Sequence, residues 1–150
     1  MRRMPAFAAV LLSVLPHAAL AQTQADYIGG TATAIEAGQS GQFELSDDSY
    51  LAFYTRKGQM RVPFDRVNLL EYGQQVDRRL ILAAVISPVF MLSKERRHFL
   101  TIGYQDERGL QQAAVFRVDK KSIRAALIAL EARTGLKVRY QDQEARKAGN

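Results

Sequence analysis

Cysteine is missing from all 150 residues, and that gap removes several chemistries at once. No disulfide, no thiolate-held zinc and no cysteine nucleophile can be built. There is also no cysteine to carry a lipoprotein anchor. Whatever domain forms must be held together by its core. Histidine is nearly as scarce: only His17 and His98 occur, and only His98 lies beyond the leader described below. Clustered imidazole ligands are therefore excluded. Long apolar runs are lacking too. The two main ones, residues 6–15 and 80–92, fall short of the roughly 20 residues that a spanning helix needs.

What is present begins with the leader. Arg2 and Arg3 open the chain, an apolar centre covers residues 6–15, Pro16 follows, and Ala19, Leu20 and Ala21 precede Gln22. A basic start, a short apolar centre and small residues at an A-x-A site form the pattern of a secretory signal peptide. Residues 1–21 are thus expected to be a signal peptide cleaved after Ala21. The remainder would be exported, either to a periplasm or out of the cell. That remainder is 129 of the 150 residues, with 19 basic and 15 acidic side chains, or about +4 with His98 neutral. Its length suits one domain with one core. Its mild positive balance suits an anionic membrane surface or an acidic polymer, and in an exported chain it does not point to nucleic acid.

Residues 22–41 are rich in glycine (Gly29, Gly30, Gly38, Gly41) and read as a flexible lead or one edge strand. Strand patterns are clearer from Gln42 onward. Phe43-Glu44-Leu45 alternates, Ser46 to Ser49 makes a turn, and Tyr50 to Thr55 is a strand by aromatic content. Met60 to Phe64 continues the hairpin, with Pro63 marking an edge or a bulge. Val67 to Tyr72 is a further strand closed by Gly73. Phe99 to Tyr104, a loop ending at Gly109, and Gln112 to Val118 form another hairpin. Asp119 is placed to cap a helix whose apolar face is Ile123, Ala126, Leu127 and Leu130, with Gly135 ending it. Leu136, Val138 and Tyr140 alternate, and residues 141–150 read as a frayed polar tail. The expected fold class is α+β, mainly β: an antiparallel small barrel or sandwich capped by one C-terminal amphipathic helix.

This order of elements resembles the pleckstrin-homology superfold, especially bacterial PH-like and GRAM-like domains. The resemblance rests on Leu51-Ala52-Phe53-Tyr54, on Arg61-Val62-Pro63-Phe64-Asp65-Arg66-Val67 leading into Leu69-Leu70-Glu71-Tyr72, and on the closing helix. The Val-Pro-Phe-Asp-Arg-Val stretch is similar to an I-P-Y-x-x-I pattern of those domains. The resemblance implies a PH-like domain over residues 42–140, a shape whose members bind lipid headgroups, peptides or partner domains and which does not by itself fix a function. It does not carry over phosphoinositide contacts. Ser46-Asp47-Asp48-Ser49, read as the loop between the first two strands, would repel a phosphate.

Catalytic readings find little support. His98 follows Arg97 and opens a strand, and Ser93 is not in a nucleophile-elbow context. Asp47 and Asp48 could be paired carboxylates, but serine on both sides suits a hydrogen-bonded turn better. No cofactor and no metal is expected. The constellation that stands out is the thirteen-residue run 80–92, broken only by Ser87 and Pro88 and flanked by Arg78, Arg79, Lys94, Arg96 and Arg97. These five cations are the candidate anion or membrane contacts. The run could be a membrane hook, a partner-binding surface, or a buried element with solvated ends. The expected function is an exported, non-enzymatic binding module that engages a protein partner or an envelope membrane surface. The alternative is a small-barrel carrier of an apolar ligand, lined by aromatics such as Phe43, Phe53 and Phe116.

Overall fold

Short runs of aromatic, β-branched and other apolar residues, bounded by turn residues, set where the strands lie. The computed structural model describes residues 23–75, 85–86 and 97–149. Strands β1 (Thr23–Gly30), β2 (Gln39–Glu44), β3 (Tyr50–Thr55) and β4 (Gln59–Pro63) form an antiparallel meander. A 3-10 turn at Phe64–Arg66 leads into β5 (Val67–Gly73). Then come β6 (Val85–Ile86), β7 (His98–Gln105) and β8 (Gln111–Val118). Helix α1 (Lys120–Thr134), β9 (Arg139–Tyr140) and a short helix α2 (Gln143–Gly149) follow.

The nine strands among the described residues join one sheet in the order β4-β3-β2-β1-β8-β7-β5-β9, with β6 paired to the end of β1. Every pairing is antiparallel except β5 with β9. The order ends at β4 and β9, so this is an open, mainly β, α+β sheet rather than a closed barrel. Strand β4 is an edge and finishes at Pro63, where a residue without an N–H donor does no harm.

Four rings meet in the core. Phe116 lies 4.7 Å from Phe43, 4.9 Å from Phe53 and 5.5 Å from Tyr27, in tilted or edge-on contacts. Such pairs add about 0.5–1.5 kcal/mol beyond the area they bury. Leu51, Leu70, Leu100 and Ile102 are buried around them. Helix α1 lays Ile123, Leu127 and Leu130 onto this core and also buries Ala126, the face that its sequence spacing predicts. Gly135 ends the helix in the left-handed conformation (φ 71°), and its N–H bonds the Glu131 carbonyl. Asp119 sits at the N-cap position, but its carboxylate makes no capping bond.

Three expectations need correction. Residues 23–30 are an inner strand, paired to β2 and β6 on one side and β8 on the other, with Tyr27 and Ile28 buried. The glycines that read as flexibility serve close approach. A Cβ on Gly30 would meet the Ala113 carbonyl oxygen at 2.1 Å, and one on Gly41 the Tyr54 carbonyl oxygen at 2.2 Å. Residues 143–149 form α2 rather than a frayed tail. The Asp142 carboxylate accepts from the Ala145 N–H at 2.6 Å, and Ala145 is fully buried in the core cluster. Ser46 to Ser49 joins the second and third strands, because β1 precedes the hairpin read from sequence as the first.

The expected signal peptide lies outside the described residues. So does the apolar run apart from Val85 and Ile86, which pair with Gly30 and Gly29 of β1.

Candidate functional site

Of the five candidate cations, Arg78, Arg79, Lys94 and Arg96 lie outside the described residues. Arg97 is half-buried and lines an open cleft of about 440 Å³ where β1, β2, β7 and β8 meet the start of α1. The other lining side chains include Gln24, Asp26, Ser40, His98, Arg117, Asp119 and Lys120.

Strand register builds the cleft floor. Asp26 of β1 stands opposite Arg117 of β8 and Ser40 of β2. Arg117 donates from Nε to Asp26 Oδ2 at 2.8 Å and also from Nη2 to the same oxygen. The Ser40 hydroxyl donates to Oδ1 at 2.5 Å. Both members of the ion pair are about one-quarter exposed, at 28% for Arg117 and 22% for Asp26. Charge-assisted bonds of this kind are the strong ones.

His98 opens β7 and stands at the cleft wall. Its Nδ1 is hydrogen-bonded with the hydroxyl of buried Tyr72 on β5, and the two rings stack at 5.9 Å with an interplanar angle of 10°. Burial, and then the positive charge of Lys120, holds the His98 pKa below the ordinary histidine value. Burial, with Tyr140 and Asp142, pushes the Tyr72 phenol up to about 12. At neutral pH the phenol therefore keeps its proton, and the imidazole is neutral. In the tautomer where the phenol donates to Nδ1, the ring proton sits on Nε2.

Asp47 and Asp48, the paired carboxylates considered from sequence, have structural partners, and so does Asp106. Asp47 accepts from the N–H groups of Ser49 (2.7 Å) and Tyr50 (3.0 Å), which lowers its pKa. Asp48 pairs with Arg133 near the end of α1, and Arg133 also reaches the Ser46 carbonyl at 3.2 Å. The Ser46–Ser49 turn is therefore tied to the helix. Asp106 accepts from the Leu110 and Arg108 N–H groups, each at 2.9 Å, inside the β7–β8 turn. Among the described residues no three acidic or imidazole side chains gather as a metal site. A second, smaller cleft of about 270 Å³ lies between residues 31–34, Met60, Arg61, Tyr104 and the Asp106 turn.

Sequence reading located Arg97 and missed Asp26, Arg117 and Lys120. The available signal was a lone charge late in a strand with no other charged residue: Arg117 is flanked by Phe116 and Val118. Among the described residues, no helix is long and apolar enough to cross a membrane. The chain matches no family model and no curated protein sequence.

Proposed function

We propose that the chain beyond its leader is an exported, PH-like binding module that engages a protein partner in the cell envelope and carries out no reaction. An antiparallel meander extended through β8, β7 and β5 and followed by one long amphipathic helix supports the PH-like reading. The edges left open and the additions of β9 and α2 are departures from it.

Val85 and Ile86 carry the choice of target. They belong to the apolar run, and they extend the sheet beside Gly29 and Gly30. A run that spends part of its length on strand pairing is better suited to a fold element than to a membrane hook. The packed rings of Tyr27, Phe43, Phe53 and Phe116 occupy the interior that an apolar-ligand carrier would need. His98, the one histidine beyond the leader, spends Nδ1 on Tyr72, which suits a structural role.

A photoreactive amino acid at position 97, expressed in cells, tests the reading. Irradiation should give discrete protein adducts that are not formed when the probe stands at exposed position 57. Adducts with lipid alone, or the same pattern from both positions, would contradict it.

A further inference from the structure

The two edges of strand β5 are held very differently. Its inner edge pairs with β7 at Val67 and along residues 69–73. On its outer edge, among the described residues, only Arg139 and Tyr140 of β9 pair, in the parallel sense, with Glu71 and Tyr72. The Gln141 N–H donates to the Tyr72 carbonyl at 3.1 Å, and Gln141 Nε2 donates to Glu71 Oε1 at 3.0 Å. The Tyr140 ring stands edge-on to Tyr72, with centroids 6.0 Å apart. A Cβ on Gly73 would collide with the Gln141 side chain, which therefore lies close on the β5 backbone.

The far edge of the sheet, β4, carries Arg61 and Pro63, residue types that discourage a further strand. Strand β5 holds neither a proline nor a basic residue, so on this side the tail itself is the guard. Its anchors are slight. Helix α2 buries Ala145, Gly149 packs against Tyr140 and Leu127, and Arg139, Gln141 and Asp142 are exposed. A two-residue ladder fixed by such small residues belongs to the low-stability end of a fold.

We propose that the outer edge of β5 is a strand-addition site that residues 139–149 hold closed. Its external occupant is an extended protein segment bearing a basic residue, an aromatic residue and an amide in that order. The tail displays this order as Arg139, Tyr140 and Gln141, set against Glu71, Tyr72 and Gly73. An incoming segment would take over the main-chain bonds that the tail gives up. Its apparent affinity is reduced by the fraction of molecules in which the tail is docked. Only the source of the segment, the protein partner, rests on the binding-module reading.

The probe is the peptide Val-Arg-Tyr-Gln-Asp-Gln, the sequence of residues 138–143. Residues 22–150 are titrated with it while the backbone resonances of Glu71 and Tyr72 are followed by NMR. Two variants loosen the tail. Ala145→Asp places a charge where burial is complete, and Gln141→Pro removes the bond to the Tyr72 carbonyl. Either variant should bind the peptide at least tenfold more tightly than the unaltered chain, and a scrambled peptide should bind neither. Equal affinity in the variants and the unaltered chain, or no binding by any of them, would overturn the site. Loss of the whole fold in both variants would overturn it too, because the tail would then be inseparable from the core. Peptide binding to the variants with no adducts from position 97 would keep the site and remove the partner reading. Adducts from position 97 without peptide binding would do the reverse.

Discussion

Two successive rungs of the β1–β8 ladder show how differently one pair of strands can be used. Tyr27 faces Phe116 on one rung, and Asp26 faces Arg117 on the next. The first pair points into the core and is almost wholly buried. The second points the other way and forms the floor of the cleft. Neighbours along one strand point to opposite faces, so a single ladder supplies both the packing and the polar site. The core rung is held by ring contact and apolar burial. The cleft rung is held by two guanidinium bonds to one carboxylate oxygen and a serine bond to the other. A register slip of one residue would exchange the two faces, which ties the site to correct packing.

The largest effect should come from the core rung. Phe116→Ala removes a ring in contact with three others and should cost about 3–5 kcal/mol in denaturant unfolding. A loss under about 1 kcal/mol would mean that the ring cluster is not the centre of the core. Next is the cleft rung. Arg117→Ala leaves the Asp26 carboxylate three-quarters covered without its main donors and should cost about 1.5–3 kcal/mol. The double replacement Asp26→Asn with Arg117→Leu should recover much of that loss, since no unpaired charge then remains. Failure to recover would point to a larger packing role for the pair.

An exposed pair sharpens the contrast. Arg133 meets Asp48, whose side chain is 92% exposed. Arg133→Ala should cost under about 1 kcal/mol, and the cost should shrink as salt rises. A loss as large as that of Arg117→Ala would mean that position on the sheet does not govern the strength of these pairs.

The smallest effect concerns His98. Its folded pKa is below the ordinary value, so the unfolded chain takes up a proton first as pH falls past about 6.5. Stability is therefore full above that pH, and it is lost going down until the lower folded pKa is reached. Melting followed between about pH 7.5 and 5.5 should show a small decline that His98→Asn removes. The same decline in the variant would assign it to another group.

Much of the sheet was legible because its strands are rich in aromatic and β-branched residues and are bounded by turn residues. Tyr50 to Thr55, Val67 to Tyr72 and the β7–β8 hairpin stand where their patterns put them, to within a residue at the ends. So does helix α1, with Gly135 as its stop. Strand β1 was misread because glycine has two uses. Gly30 and Gly41 are required by backbone approach, a property of the partner strand that local sequence does not contain. Helix α2 was misread because the buried residues described in it, Ala145 and Gly149, are too small to register as an apolar face. The cleft was hidden for a different reason. Asp26 and Arg117 are 91 residues apart, and only the β1–β8 register brings them together. Arg97 was visible because it belongs to the cations that flank the apolar run 80–92, a local signal.

The binding reading turns on whether this surface meets protein or lipid. Sedimentation of residues 22–150 with anionic and with neutral vesicles, at low and at high salt, puts that question directly. The account expects the chain to stay in the supernatant with both vesicle types at either salt concentration. Sedimentation with the anionic vesicles alone, lost at high salt and lost when Arg78, Arg79, Arg96 and Arg97 become glutamine, would contradict it and make the target a membrane.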